Sequence, residues 1–389
     1  MEQLFIFSRK RINETSLDFF RYKYADIKWQ GRMLGIVGPR GVGKTTMMLQ
    51  FAKVNLDPDT TLYISADQLY FSRHTLLEVA DRFSKMGGHH LLIDEIHHYP
   101  NWSIELKEIF DTYSDMQIIF SGSSILDICK GAADLSRRAP IYEIQGLSFR
   151  EYLKLFHKID VPVYSLEQVF SHEVQIPGVT HPLPLFADYL RRGYYPFGRD
   201  VDFDQELLQV VDRTMEMDIP QYASLNVSAG RRLKKLMMVV AESVPFKPQM
   251  TTLAQVTDIS RNDLPDYLYY MERAGMIVQL RDATMGVRGL GKMEKVYLDN
   301  TNLAYVLADV HPNVGNMRET FFLNQMRVTH KVRASKISDF EIDGLTFEIG
   351  GKSKGKKQIQ TVMDGYVVKD DIELGYANVI PLFNFGLLY

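Results

Sequence analysis

The chain has 389 residues, of which 46% are hydrophobic and 24% charged, and its 45 Lys and Arg against 48 Asp and Glu leave a net charge of −3. That balance excludes a disordered chain, allows two or three separate cores, and confines any nucleic-acid contact to a local basic patch. A sole cysteine, Cys129, excludes an internal disulfide and a cysteine-rich zinc site. With no long apolar run and no signal-peptide order at its start, the expectation is a soluble cytoplasmic protein with no membrane partner.

Residues 1–31 carry apolar side chains at helical spacing (Leu17, Phe19, Phe20, Tyr22, Tyr24, Ile27) and lead into a short apolar strand, Met33 to Val37. Next comes Gly38-Pro39-Arg40-Gly41-Val42-Gly43-Lys44-Thr45, which fits the phosphate-loop pattern at every fixed position, followed by the helix that opens at Thr46. In a strand, glycine loop, helix arrangement, backbone N–H groups turn inward on a triphosphate with the positive helix end behind them. Lys44 would reach the β- and γ-phosphates of ATP, and the Thr45 hydroxyl would join the Mg²⁺ shell.

A second strand is expected over Thr60 to Ser65 and a helix over Leu76 to Met86. His89 to Glu95 reads as an apolar strand ending in two carboxylates, with Asp94 placed to hold Mg²⁺ and Glu95 to polarise the attacking water. His97 and His98 follow, and a metal reading that joins them to His89 and His90 is disfavoured against surface histidines. After a helix over Trp102 to Tyr113, the strand Gln117 to Ser124 ends in small hydroxyls. Ser121 is the choice for sensing the γ-phosphate or orienting water, whereas Ser123 or Ser124 serves equally well as a helix cap. Arg137 and Arg138 precede a last strand, Ala139 to Ile144; an arginine finger, taken here as Arg138, and solvated loop residues remain equal readings.

These motifs, with Leu-Ser-Phe-Arg-Glu-Tyr-Leu at 147–153, resemble the uncharacterised bacterial and archaeal AAA+-type ATPases whose C-terminal domain of unknown function is related to restriction-endonuclease folds. Motif and periodicity read as an α/β P-loop domain with a parallel sheet over 1–155, a helical linker or lid over 156–230, a winged-helix segment over 231–305 and a mixed α and β region over 306–389, for which the resemblance implies an α+β nuclease-like domain. Asp188 to Pro196 is similar to a glycine-tyrosine-proline turn of that family, and reads equally as an ordinary helix end. In 231–305 three helices precede a hairpin, and the supposed recognition helix carries Asp263, Asp266 and Glu272 against Arg261 and Arg273. That charge favours a lid or protein contact over DNA.

For the last domain the resemblance implies Mg²⁺ held by Glu319, Asp339 and Glu348, with a lysine beyond Glu348. Here two glycines intervene, and in a regular strand Glu348 and Lys352 lie roughly 13 Å apart; a glycine bulge would close that gap. The 327–357 segment collects Arg327, Lys331, Arg333, Lys336, Lys352, Lys354, Lys356 and Lys357, either a nucleic-acid patch or a solvated loop. The apolar end, Val379 to Tyr389, is expected to dock. Three functions stay open: a Mg²⁺-dependent ATPase that switches its C-terminal domains, an ATP-licensed nucleic-acid binder or nuclease, and a slow regulatory or assembly ATPase, with a homo-oligomer and an unidentified protein client as partners.

Overall fold

The computed structural model describes residues 1–122, 135, 137–223, 225–243, 247, 249–282, 293–308, 312–352 and 364–389. Ser123, Ser124, Cys129, Lys354, Lys356 and Lys357 lie outside these residues. The chain divides into two compact units, Met1–Gly146 and Leu147–Tyr389.

In the first unit, β1 (Met33–Val37), β2 (Thr61–Ser65), β3 (His90–Asp94), β4 (Gln117–Gly122) and β5 (Ile141–Glu143) form one parallel sheet in the order β2-β3-β4-β1-β5. All five residues of β1 are buried, as a strand covered by helices on both faces requires. The flanking helices are α1 (Glu2–Glu14), α2 (Lys44–Asn55), α3 (Leu76–Lys85) and α4 (Trp102–Thr112). A capping box starts α3: the Glu78 N–H donates to Thr75 Oγ1 (3.0 Å) and the Thr75 N–H to Glu78 Oε2 (3.1 Å). Leu76, Val79, Ala80 and Phe83 then fall on its buried face.

The N-terminal helix lies earlier than the spacing of Leu17 to Ile27 suggested. Helix α1 ends at Glu14, and Thr15 to Arg21 is not helical because its backbone is engaged elsewhere: Gln50 Nε2 donates to the carbonyls of Ser16 (2.9 Å) and Phe19 (2.8 Å). From α1, Ser8 Oγ accepts the outward N–H of Tyr63 (2.8 Å), satisfying the free edge of β2.

The second unit opens at Leu147, short of the expected boundary at 155. The helix Phe149–His157 belongs to it: Ser148 and Glu151 cap that helix, and the Phe149 ring lies 5.4 Å from Phe186 and 5.5 Å from Tyr189. The turn at 193–196 is core architecture, with Tyr194 and Tyr195 buried and the Tyr194 N–H donating to Asn302 Oδ1 (2.9 Å). Helices Val227–Ser243, Met250–Thr257 and Leu264–Arg273 precede an antiparallel hairpin, β6 (Ile277–Arg281) with β7 (Met293–Leu298). The helix Val314–Thr329 then covers a five-stranded sheet of β8 (Val332–Ala334), β9 (Phe340–Ile342), β10 (Leu345–Gly350), β11 (Gly365–Lys369) and β12 (Val379–Pro381), in the order β12-β11-β10-β9-β8. The β8–β9 and β9–β10 pairs are antiparallel, whereas the β10–β11 and β11–β12 pairs are parallel. Phe322 packs 5.2 Å from Phe340, 5.3 Å from Phe347 and 4.8 Å from Phe385, so the apolar tail is part of this core.

Candidate functional site

The phosphate loop leaves the carboxyl end of β1 and feeds α2, the place where open parallel sheets bind ligands. Two glycines explain its path. A Cβ on Gly38 would stand 2.3 Å from the Ile144 carbonyl oxygen, so only glycine lets the loop pass β5. Gly43 has φ 95°, which L side chains rarely adopt, and it opens α2 with N–H groups directed into the loop. Arg21, buried outside the motif, donates to the carbonyls of Val42, Gln145 (2.7 Å) and Gly146 (2.9 Å), tying the loop to the chain beyond β5. Lys44 is buried, and its Nζ donates to the carbonyls of Gly38 (2.9 Å) and Pro39 (2.8 Å) within the loop itself.

At the end of β3, Asp94 is buried and accepts three hydroxyls: Thr45 Oγ1 (2.7 Å) and the Tyr63 hydroxyl (2.9 Å) on Oδ2, and Ser121 on Oδ1. Burial pushes its carboxyl up and the neighbouring Glu95 charge adds to this, while the Ser121, Thr45 and Tyr63 hydroxyls pull it back. The sequence assigned Ser121 to sensing the γ-phosphate or orienting water; in the structure this fully buried hydroxyl donates to Asp94 and orients it. Sequence reading missed Tyr63 because a tyrosine in an apolar strand looks like core; only the β2–β3 register, with Ser65 beside Asp94, brings its hydroxyl to the carboxylate.

Glu95 follows with φ 51°, a strained conformation for a glutamate and one that clusters at functional positions. It turns the chain into the short helical turn Ile96–His98, so that one ligand atom each from Glu95, His97 and His98 lie within 4.8 Å of one another. His97 Nε2 is 3.5 Å from Glu95 Oε2, and burial pulls the His97 ring down to about 3, against the pull of Glu95. His90 sits at the opposite end of β3 against Gln117 (3.1 Å), and His89 precedes it, so neither joins this group.

Arg138 is also far from the loop. It stands before β5, at the amino ends of the strands, with Nε and Nη2 on Asp111 (3.1 and 3.0 Å). Since Ile141 pairs with Gly35, roughly 15 Å of strand separates it from the loop of its own chain. Arg137 is exposed beside it.

The C-terminal unit has its own polar cluster. Glu319, from the helix Val314–Thr329, and Asp339, just before β9, both face Lys295 of β7: its Nζ lies 3.1 Å from Glu319 Oε2 and 3.4 Å from Asp339 Oδ1. The Tyr297 hydroxyl donates to Glu319 Oε2 (2.8 Å), and the Ile349 N–H to Asp339 Oδ2 (2.9 Å). Burial and the Asp339 charge push the Glu319 carboxyl up; the Lys295 ammonium resists burial and is raised by the two carboxylates. Glu348, buried in β10, accepts the Ser338 hydroxyl. A cavity of about 470 Å³ beside the cluster is lined by Lys247, Lys295, Lys336, Ser338 and Asp339 among others.

Two expectations change here. Lys352 is not the cation of this cluster: β10 pairs with β11 in unbroken register through Gly350 with Lys369, so no bulge draws Lys352 back, and it is exposed. Arg327 is not a surface cation either, because it is paired with the buried Asp299 at 2.5 Å. Lys331 and Lys336 remain exposed, and Arg333 is half-buried.

Residues 30–153 match a family model described as an AAA domain, and residues 183–314 one described as a domain of unknown function. An uncharacterized protein of Methanocaldococcus jannaschii is 25% identical over 265 residues, 63% of this chain and 56% of that protein, so the chain spans little more than half of that relative. Among solved structures, a Walker-type ATPase of Pyrococcus abyssi aligns at 14% identity with a TM-score of 0.46, over 74% of this chain and 95% of that one. PCH-2 of C. elegans aligns at 14% and 0.27, over 69% and 68%. The parallel sheet, the phosphate loop and the AAA match define an ATPase domain of the AAA type. Among the described residues, no helix is long and apolar enough to cross a membrane.

Proposed function

We propose that this protein is a Mg²⁺-dependent ATP hydrolase whose nucleotide state switches its C-terminal segments. The observation that supports this most is the bond from Thr45, the last residue of the loop motif, to Asp94 at the end of β3, with Tyr63 and Ser121 fixing the same carboxylate. A hydroxyl beside a carboxylate is an all-oxygen donor set suited to Mg²⁺, and the inward N–H groups and Lys44 suit a triphosphate. Bound there, the ion would neutralise charge developing on the phosphate oxygens. Lys44 exchanges its loop carbonyls for phosphate oxygens, and Glu95 takes the proton of the attacking water. A finger offered to a neighbouring copy in a homo-oligomer would come from Arg138 released by Asp111 or from Arg137. Calorimetry and turnover assays on Lys44→Ala and Glu95→Gln test the reading: nucleotide binding that survives the first, or unimpaired turnover in the second, overturns it.

A second reading is favoured by Lys295. In it the C-terminal unit is a nucleic-acid-binding, metal-dependent phosphodiesterase with Glu319, Asp339 and Glu348 as carboxylates and Lys295 as their cation. Mg²⁺-dependent cleavage that disappears in Asp339→Ala supports it; absence of binding to single- and double-stranded DNA and RNA at low salt removes it. The 231–305 segment we read as a winged helix used for protein contact, because its Leu264–Arg273 helix exposes Asp266 and Tyr269, a face that repels polyanionic DNA more than a protein.

A further inference from the structure

At the end of β3 two imidazoles stand beside the Glu95 carboxylate, and nucleotide hydrolysis does not need them. His97 and His98 lie on the turn that the left-handed Glu95 creates, with ring centroids 4.2 Å apart and planes tilted by 38°. His97 is buried, its Nε2 is 3.5 Å from Glu95 Oε2, and the three potential ligand atoms lie within 4.8 Å of one another. Two imidazoles and one carboxylate form a borderline donor set: it selects Zn²⁺, Co²⁺ or Ni²⁺ over Mg²⁺, and three protein ligands leave one position for water.

We infer that Glu95, His97 and His98 bind a transition-metal cation such as Zn²⁺, and that this ion arrests ATP hydrolysis by engaging the carboxylate of Glu95. The site differs in kind from the neighbouring Mg²⁺ position. Thr45 and Asp94 offer only oxygen, and Asp94 is held by three hydroxyls, so it is not drawn toward the histidines. Ligands at about 2.0–2.2 Å from one centre stand roughly 3.4 Å apart in a tetrahedron, so the group closes by roughly an ångström, which side-chain rotation of the half-buried His98 and Glu95 supplies. Arg40, Lys44 and His98 act on His97 electrostatically, and the Glu95 carboxylate opposes them. A carboxylate bound to metal no longer accepts a proton from water, so the same contact that binds the ion removes the base. The arrest rests on the ATPase reading above; the metal binding does not.

The test uses the full chain, stripped with chelator and free of nucleotide, titrated with Co²⁺ by its visible absorption and then with Zn²⁺ in competition and by calorimetry. About one ion per chain is expected, with affinity lowered roughly tenfold or more in His98→Gln, while Asp94→Asn stays within about twofold. His98 is half-buried, so this variant separates ligand loss from misfolding in a way that the buried His97 does not. Zn²⁺ should inhibit Mg²⁺-dependent turnover of the parent, and His98→Gln should keep its turnover while resisting the inhibition. Equal affinity in the parent and His98→Gln, or no binding, overturns the site. Binding without inhibition overturns the arrest alone, and an inactive parent that still binds Zn²⁺ counts against the ATPase reading and leaves the site standing.

Discussion

Each unit gathers buried carboxylates, but the two gatherings balance their charge differently. Around Asp94 the partners are three neutral hydroxyls, which orient the carboxylate and leave its charge to be met by a cation from outside. Around Glu319 and Asp339 the balancing charge is already present as Lys295. Burial raises the carboxyl in both places, so a raised carboxyl alone does not tell a metal site from an internal ion pair. The difference is whether a protein cation stands where the metal would.

The largest effects should separate the two at once. Lys44→Ala is expected to abolish ATP binding by calorimetry, whereas Glu95→Gln binds and loses turnover by about 10²–10⁴-fold. Neither should alter the contribution of the Lys295 cluster to stability. Replacing the resident cation, Lys295→Met, leaves two carboxylates facing each other and should cost roughly 2–3 kcal/mol in urea unfolding, below the full buried-pair penalty because Lys295 is 33% exposed. Added Mg²⁺ should recover part of that loss, and Lys352→Met should do nothing. A Lys295→Met protein as stable as the parent would erase the contrast between the clusters.

His97 yields a pH signature in chelator-treated protein. Its ring drops from 6.5 to about 3 in the folded state, so folding prefers the neutral ring. That contribution is whole above the unfolded value and declines as the pH falls toward the folded one, by about 1.4 kcal/mol per pH unit. The stability gap between parent and His97→Gln should therefore narrow by about 2 kcal/mol from about pH 7.5 to about pH 5, measured by urea titration. A gap independent of pH would mean that the ring titrates alike in the folded and unfolded states. The smallest effect belongs to Ser121→Ala, about 1.5 kcal/mol for one lost hydrogen bond to a buried carboxylate, with ATP affinity retained because Asp94 keeps Thr45 and Tyr63. A loss of turnover as severe as that of Glu95→Gln would place Ser121 at the γ-phosphate or the attacking water.

The phosphate loop, the alternation of strand and helix around it, and Asp94 with Glu95 at a strand end were all legible in the amino-acid order, because each depends on contacts within a few residues and on the limited conformations open to glycine. Capping boxes at Thr75 and Ser148 are equally local. What required the tertiary structure were the long-range partners. Arg21 reaches Gly146, Tyr63 and Ser121 reach Asp94, and Lys295 reaches Glu319 and Asp339 across the pairing of separate elements. Side chains such as these are indistinguishable in sequence from core tyrosines, helix caps and surface lysines. Their roles follow from strand register and burial, and a run of residues specifies register only through the elements it pairs with. For the same reason the lysine nearest in sequence to Glu348 is not the one the fold brings to the cluster: a regular β10 carries Lys352 away, and β7 delivers Lys295.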